Sequence, residues 1–206
     1  MEDLFLHQKP DSDTEIIATG GNFKVEYVKY IGNSDYDCLI EISDSLVEEY
    51  GEHSRLTSTT IQKYFNKNDS HPFIARHQGS IVGYIIGIPL EALNQEPWAR
   101  LDTNFHKNNT IYTYAFVIKK EYKENGYAKT LKSVYLNWVR KQPGILYVTG
   151  HVKKGISSRF KGNITLIKKI DNWQGTGRVF EYYRRELDPE KIYNLKTNSS
   201  KPNRIC

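Results

Sequence analysis

The chain has 206 residues, 38% of them hydrophobic and 26% charged, with a formal net charge of +5. That length supports a substantial core in one domain with tails, and the longest apolar run, residues 81–90, is too short to span a bilayer and contains Pro89, so no membrane partner is expected. Two cysteines, Cys38 and Cys206, exclude a disulfide framework, and the acidic start lacks the apolar region of a signal peptide, which together point to a soluble cytoplasmic protein.

Residues 1–21 are polar, end in Gly20-Gly21, and are expected to form a mobile arm or a loosely attached edge. Phe23, Val25 and Tyr27 alternate and predict a first strand over residues 23–31. Ser34 with Asp37 offers a helix cap, and Leu39, Ile42, Leu46 and Tyr50 then form a helical apolar stripe. The opposite face carries Asp37, Glu41, Asp44 and Glu48, which would steer a cationic amine or form a solvated surface. Residues 57–66 predict a short second helix with Ile61, Tyr64 and Phe65 inward. Residues 73–77 and 80–90 predict a hairpin around Gln78-Gly79, with Gly83 and Gly87 marking a bulge or a close ligand approach. Residues 94–109 form a long connection for two adjacent strands and carry Trp98, Arg100, Asp102, Phe105 and His106.

Residues 111–118 are β-branched and aromatic, as strands are, and run through a charged turn to Gly126. Beyond it Tyr127, Ala128, Leu131, Val134, Tyr135, Trp138 and Val139 trace one buried helix face, with Arg140 and Lys141 at its negative end and Pro143-Gly144 as its stop. A strand feeding a helix through a glycine turn aims unbonded N–H groups and the positive helix end at one spot, a geometry that binds phosphate. Residues 145–152 predict another strand ending near His151, and residues 153–162 a basic, glycine-containing loop. Residues 163–170 predict a short helix capped by Asn163, residues 173–177 a turn, and residues 179–187 a last strand. Residues 188–206 are polar and are expected to be a tail.

The turn Lys123-Glu124-Asn125-Gly126-Tyr127-Ala128, with its lead-in Glu121-Tyr122, resembles the Gln/Arg-x-x-Gly-x-Gly/Ala signature of the GCN5-related N-acetyltransferases (GNAT), with lysine in place of Gln or Arg at the first position. The resemblance is sharp over residues 111–131 and fair over residues 23–187. It implies an α/β fold, a central mixed β-sheet with two splayed parallel strands and helices on both faces, and a domain over residues 22–187. It further implies acetyl-CoA as co-substrate and a primary amine on a small molecule, peptide or protein as acceptor. In that reading the modest positive charge serves solubility and a ligand bearing phosphates.

The resemblance assigns the pyrophosphate to backbone N–H groups of Lys123, Glu124, Asn125, Gly126, Tyr127 and Ala128, with side-chain donors from Lys129 and Thr130. It assigns the acetyl carbonyl and pantetheine amides to backbone near Phe116, Val117 and Ile118. Asn163 would touch the pantetheine arm or act only as a helix cap. Some family members place a glutamate base where Tyr112 stands; with a reference pKa of ~10 tyrosine is a poor base, so a water relay organised by Tyr112, Tyr114, Glu91 or His151 replaces it. His151 suits neutral pH as a base, or is a strand-end histidine bonded to backbone. Many members protonate the departing thiolate with a tyrosine on the helix after the splayed strand, and residues 163–170 contain none. The remaining histidines form no metal spacing, so no metal is expected. Aromatics and the Asp102 carboxylate make the 94–109 connection a candidate acceptor wall, or a cover for the sheet edge.

Two rival functions remain. One is a non-catalytic acyl-CoA sensor on the same fold, favoured by the missing carboxylate and tyrosine. The other is a basic, RNA-directed surface of Lys153, Lys154, Arg159, Lys161, Lys168 and Lys169, although solvated lysines explain the same residues and nucleic acid is not the expected partner. Oligomeric state is left open, a homodimer included.

Overall fold

The computed structural model describes residues 11–192; residues 1–10 of the expected arm and 193–206 of the expected tail lie outside the described residues. Among the described residues there are eight strands: β1 Asp13–Gly20, β2 Phe23–Tyr30, β3 His71–His77, β4 Ser80–Pro89, β5 Thr110–Ile118, β6 Tyr147–Lys153, β7 Ile164–Ile170 and β8 Phe180–Glu186. The helices are α1 Tyr36–Tyr50, α2 Ser58–Phe65, α3 Pro97–Arg100 and α4 Tyr127–Arg140. The strands form one mixed sheet in the order β1-β2-β3-β4-β5-β6-β8-β7, flanked by helices. Among the described residues no helix is long and apolar enough to cross a membrane.

The chain groups into two compact units that interleave along the sequence. The first takes the chain up to Ile88 together with Tyr114–Tyr135. Its antiparallel run β1–β4 is built from hairpins, and α1 lays Leu39, Ile42 and Leu46 into a core shared with Phe65, Phe73, Ile74, Tyr84 and Ile85. Tyr135 of α4 meets Phe73 edge-on at 5.8 Å. Gly83 answers one question left by the sequence. A Cβ there would lie 2.3 Å from Ile118 Cδ1 and 2.5 Å from the Val117 carbonyl oxygen, so the missing side chain makes room for β5 rather than for a ligand. The β3–β4 register also shifts beside it, between Ala75 and Arg76, which puts the expected bulge at this position.

The second unit takes Pro89–Thr113 and the chain from Leu136 onward. Here β8 lies between β6 and β7, antiparallel to both. The parallel ladder of β5 with β6 joins Thr110 to Tyr147, Ile111 to Val148 and Tyr112 to Thr149; among the described residues it goes no further, although β5 continues to Ile118.

Four sequence expectations need correction. Asp13–Gly20, expected as part of a mobile arm or a loosely attached edge, is a regular edge strand paired along its length with β2. Ser34 makes no cap: a short 3-10 turn, Asn33–Asp35, leads into α1 with no side-chain cap bond. Residues 163–170 are not a helix but β7; Ile164, Thr165, Ile167 and Ile170 are β-branched, and the strand is completed by pairing with β8. The polar tail does not begin cleanly at Asp188: the Asp188 carboxylate accepts from the Lys191 N–H at 3.0 Å in one helical turn, and Ile192 is buried.

Candidate functional site

In the first unit the turn between β5 and α4 has the geometry its sequence implies. Gly126 sits at φ 77° with open space where a Cβ would be. Glu124 is also left-handed, at φ 73°, a conformation uncommon for a residue with a side chain and not foreseen from sequence. The first helical bond runs from the Thr130 N–H to the Gly126 carbonyl at 3.0 Å. The N–H groups of Tyr127, Ala128 and Lys129 therefore precede the helical ladder and have no partner within it. Lys123, Glu124, Asn125, Gly126, Ala128, Lys129 and Thr130 are all exposed. The Thr130 hydroxyl is spent on the Gly126 carbonyl at 3.2 Å, so of the two expected side-chain donors Lys129 alone stands clear.

An aromatic cluster fixes where the helix begins. Tyr127 stacks on Phe23 with ring centres 4.1 Å apart and lies 5.5 Å from His77. Upstream, the Lys119 N–H donates to the Val82 carbonyl at 2.8 Å, which ties the end of β5 to β4. Val117 and Ile118 are buried, whereas Thr113, Tyr114, Ala115 and Phe116 are half-exposed in the middle of a strand that has neighbours on both sides in the sheet. Tyr64 of α2 stacks on Tyr114 at 4.0 Å. The carboxylate stripe on α1 is partly neutralised: Glu41 accepts from Lys119 at 2.8 Å, and Asp44 pairs with Arg55.

In the second unit Tyr112 and His151 come together. Adjacent strands bring the Tyr112 hydroxyl and His151 Nδ1 to 2.9 Å, and both residues are buried. Trp173 stacks on the imidazole at 3.8 Å, Tyr182 stacks at 4.7 Å, and Trp98 meets it edge-on at 4.6 Å. His151 Nε2 is buried without a hydrogen-bond partner. Burial pushes the histidine pKa down to about 3. This corrects the expectation of a base suited to neutral pH: the ring is uncharged and has little appetite for a proton.

In the 94–109 connection the Asp102 carboxylate, expected to face an amine, is already used. Asp102 Oδ2 accepts from the Tyr182 hydroxyl at 2.6 Å, and Oδ1 accepts from Arg184 at 2.5 Å and from the Asn104 N–H at 2.7 Å. Burial works against its charge, but these donors outweigh burial and hold the carboxyl below its ordinary range. Asn163 heads no helix: its side-chain amide donates to Glu186 at 3.2 Å. Trp173 and Tyr182 were missed by sequence reasoning; the Gly-rich stretch around Trp173 was the one available signal.

A family model described as the Acetyltransferase (GNAT) family matches residues 39–155, more than half of the chain and inclusive of β5, the glycine turn and α4. The chain belongs to the GNAT acetyltransferase family. No curated protein matches it. Solved structures of GNAT proteins share its fold at low identity. Arabidopsis thaliana NAA60 in complex with acetyl-CoA superposes with a TM-score of 0.60 at 15% identity, covering 80% of this chain and 99% of that one. The ribosomal-protein-S18-alanine N-acetyltransferase of Escherichia coli gives 0.56 at 8% identity, covering 81% and 94%. GphF, a GNAT-like decarboxylase in complex with isobutyryl-CoA, gives 0.54 at 14% identity, covering 80% and 99%. A GNAT fold therefore does not by itself choose the reaction.

Proposed function

We propose that the protein is an N-acetyltransferase that moves an acetyl group from acetyl-CoA to a primary amine. The observation that carries this reading is the glycine turn inside the family match: exposed first-turn N–H groups of α4, behind a left-handed glycine with open space beside it. These residues suit a pyrophosphate, since N–H donors and the positive helix end converge there and no side chain intrudes. Glu124, Asn125, Gly126, Tyr127 and Ala128 would supply the backbone donors and Lys129 an exposed cation; the Lys123 N–H, expected to join them, already donates to the Lys120 carbonyl at 3.2 Å. Backbone groups of Phe116, Val117 and Ile118, on the part of β5 beyond its ladder with β6, would hold the acyl arm as an added strand would. Bound acetyl-CoA supplies an activated thioester, so positioning provides much of the rate.

Tyr112 and His151 are the proposed catalytic pair. The neutral imidazole fixes the Tyr112 hydroxyl, which in turn orders water or the acceptor nitrogen by hydrogen bonding. Neither group removes a proton strongly near neutral pH, so the rate follows the fraction of acceptor amine that is already deprotonated. The same proposal includes a cytoplasmic location. Two observations favour a second reading, a sensor that binds acyl-CoA without turnover: His151 is a poor base, and Asp102 is committed to Arg184 and Tyr182.

Incubation with acetyl-CoA and a panel of small amines, peptides and protein amino termini, read by mass spectrometry, tests both. Gain of one acetyl group on an amine supports the transferase. Cofactor binding with no acetylated amine supports the sensor, and no binding of acetyl-CoA removes both.

A further inference from the structure

Two tryptophans reach His151 from two separate connections. Trp98 comes from α3, within the 94–109 connection. Its indole N–H donates to Glu96 at 3.0 Å, and the connection is pinned by Asp102 to Tyr182 and Arg184. Trp173 comes from the turn between β7 and β8, where Asn172 and Gln174 on either side of it are both left-handed, at φ 50° and 52°. Such backbone is costly for residues with side chains. The turn holds it through internal bonds: Trp173 N–H to the Arg178 carbonyl at 3.1 Å, Gly177 N–H to Asn172 Oδ1 at 2.7 Å, and the Thr176 hydroxyl to the Trp173 carbonyl at 2.7 Å. None of these bonds involves the indole. Its contacts are with rings, and the closest is the imidazole of His151 at 3.8 Å and 20°.

We infer that Trp98 and Trp173 are positioning residues for His151, holding it as an uncharged ring with Nδ1 on the Tyr112 hydroxyl. The inference rests on the reading of Tyr112 and His151 as the catalytic pair. A charged imidazole in this aromatic box would lose its hydration, and the faces of Trp173 and Tyr182 return only part of it. Four polar or charged side chains on the surrounding elements are committed. The Tyr182 phenol is given to Asp102, Asp102 also binds Arg184, Glu96 binds the Trp98 indole, and Glu181 binds the Ser157 hydroxyl. Burial is the cause of the weakened basicity of the ring. The pair then presents one hydrogen-bonding arrangement across the neutral range instead of switching with pH.

The test is nitrogen-15 histidine NMR on the full chain, with His151→Gln to assign the signal. In the parent, His151 should stay uncharged and in one tautomer from about pH 5 to about pH 8. In Trp173→Leu and Trp98→Leu it should begin to titrate inside that window, moving toward the ordinary value of ~6.5. Trp173→Phe, which restores a ring, should return it to silence. Where an amine is acetylated, the two leucine variants should lose at least about tenfold in kcat with KM for acetyl-CoA unchanged. Tyr112→Phe, the loss of one hydroxyl, should release the tautomer while the ring stays uncharged, which tests the geometry even if a leucine variant does not fold. The inference is overturned if His151 titrates in the parent, or if both leucine variants keep a silent, single-tautomer ring. The spectrum needs no acceptor, so absence of acetyl transfer counts against the proposed function while the NMR result still decides this inference.

Discussion

At the scale of single residues, the sequence singled out His151 and Tyr112 by their places on two strands, and the structure joins them at 2.9 Å. The chemistry of the histidine was not legible, because it depends on three rings from distant segments. Its pH behaviour carries a prediction with a definite sign. Burial depresses the folded pKa to about 3 from the ordinary 6.5 of a histidine, so between those values the unfolded chain binds the extra proton. Stability is then intact above the unfolded value and falls as pH drops through the window, by up to ~1.4 kcal/mol per pH unit for one group. Denaturant melts at about pH 7 and about pH 5 should differ by roughly 2 kcal/mol from this source. His71, also depressed by burial, adds in the same direction. His151→Phe should flatten the slope, and an unchanged slope would show that the ring is not buried in solution. Asp102 invites a second substitution. Asp102→Ala strips the partner from Arg184 and from the Tyr182 hydroxyl, and should cost about 3 kcal/mol, the low end for a broken buried pair because Arg184 keeps some exposure. A stable Asp102→Ala protein with a raised amine KM would return the 94–109 connection to an acceptor role.

At the scale of elements, legibility followed burial. The helix from Tyr127 and the β3–β4 hairpin declared themselves because one face of the helix is buried and the hairpin is bounded by Gln78-Gly79. β7 hid for the opposite reason. It is an edge strand with most side chains exposed, its register with β8 shifts between Leu166 and Lys168, and Leu166, Ile167, Lys168 and Lys169 show no clean alternation. The irregularity and the lysines protect a sheet edge, and the same features blur the period from which a strand is read. β1, at the other edge, was legible only as an arm or a loose edge. Two glycines give a paired prediction. Gly83→Ala must push the Val117 carbonyl and Ile118 aside and should cost about 1–3 kcal/mol. Gly126→Ala meets nothing within 4 Å, so only its left-handed backbone is charged, about 1–2 kcal/mol. Melts of both should show a loss, with acetyl-CoA binding retained in the Gly126→Ala protein.

At the scale of the whole molecule, membership of the GNAT family was legible from one turn in one strand–turn–helix context, because that turn is made by backbone and a glycine that a short stretch of sequence displays. The acceptor was not legible, since a fold does not choose a substrate. A test of the cofactor half of the proposed function can therefore avoid the acceptor. Acetyl-CoA at about 100 times its Kd should add about 2.7 kcal/mol to unfolding, if it binds the folded chain alone. For a chain of this length that is a rise in Tm of about 5–10 °C. Gly126→Glu should abolish the rise, because it sets a carboxylate among the N–H groups of the turn. Gly126→Asn is the control: asparagine tolerates left-handed backbone and adds no charge, so it should keep most of the rise. If Gly126→Glu is stabilised as much as the parent, the pyrophosphate is bound elsewhere and the turn is only a connection. If asparagine and glutamate abolish the rise equally, bulk at the turn matters rather than charge, and the electrostatic part of the argument fails.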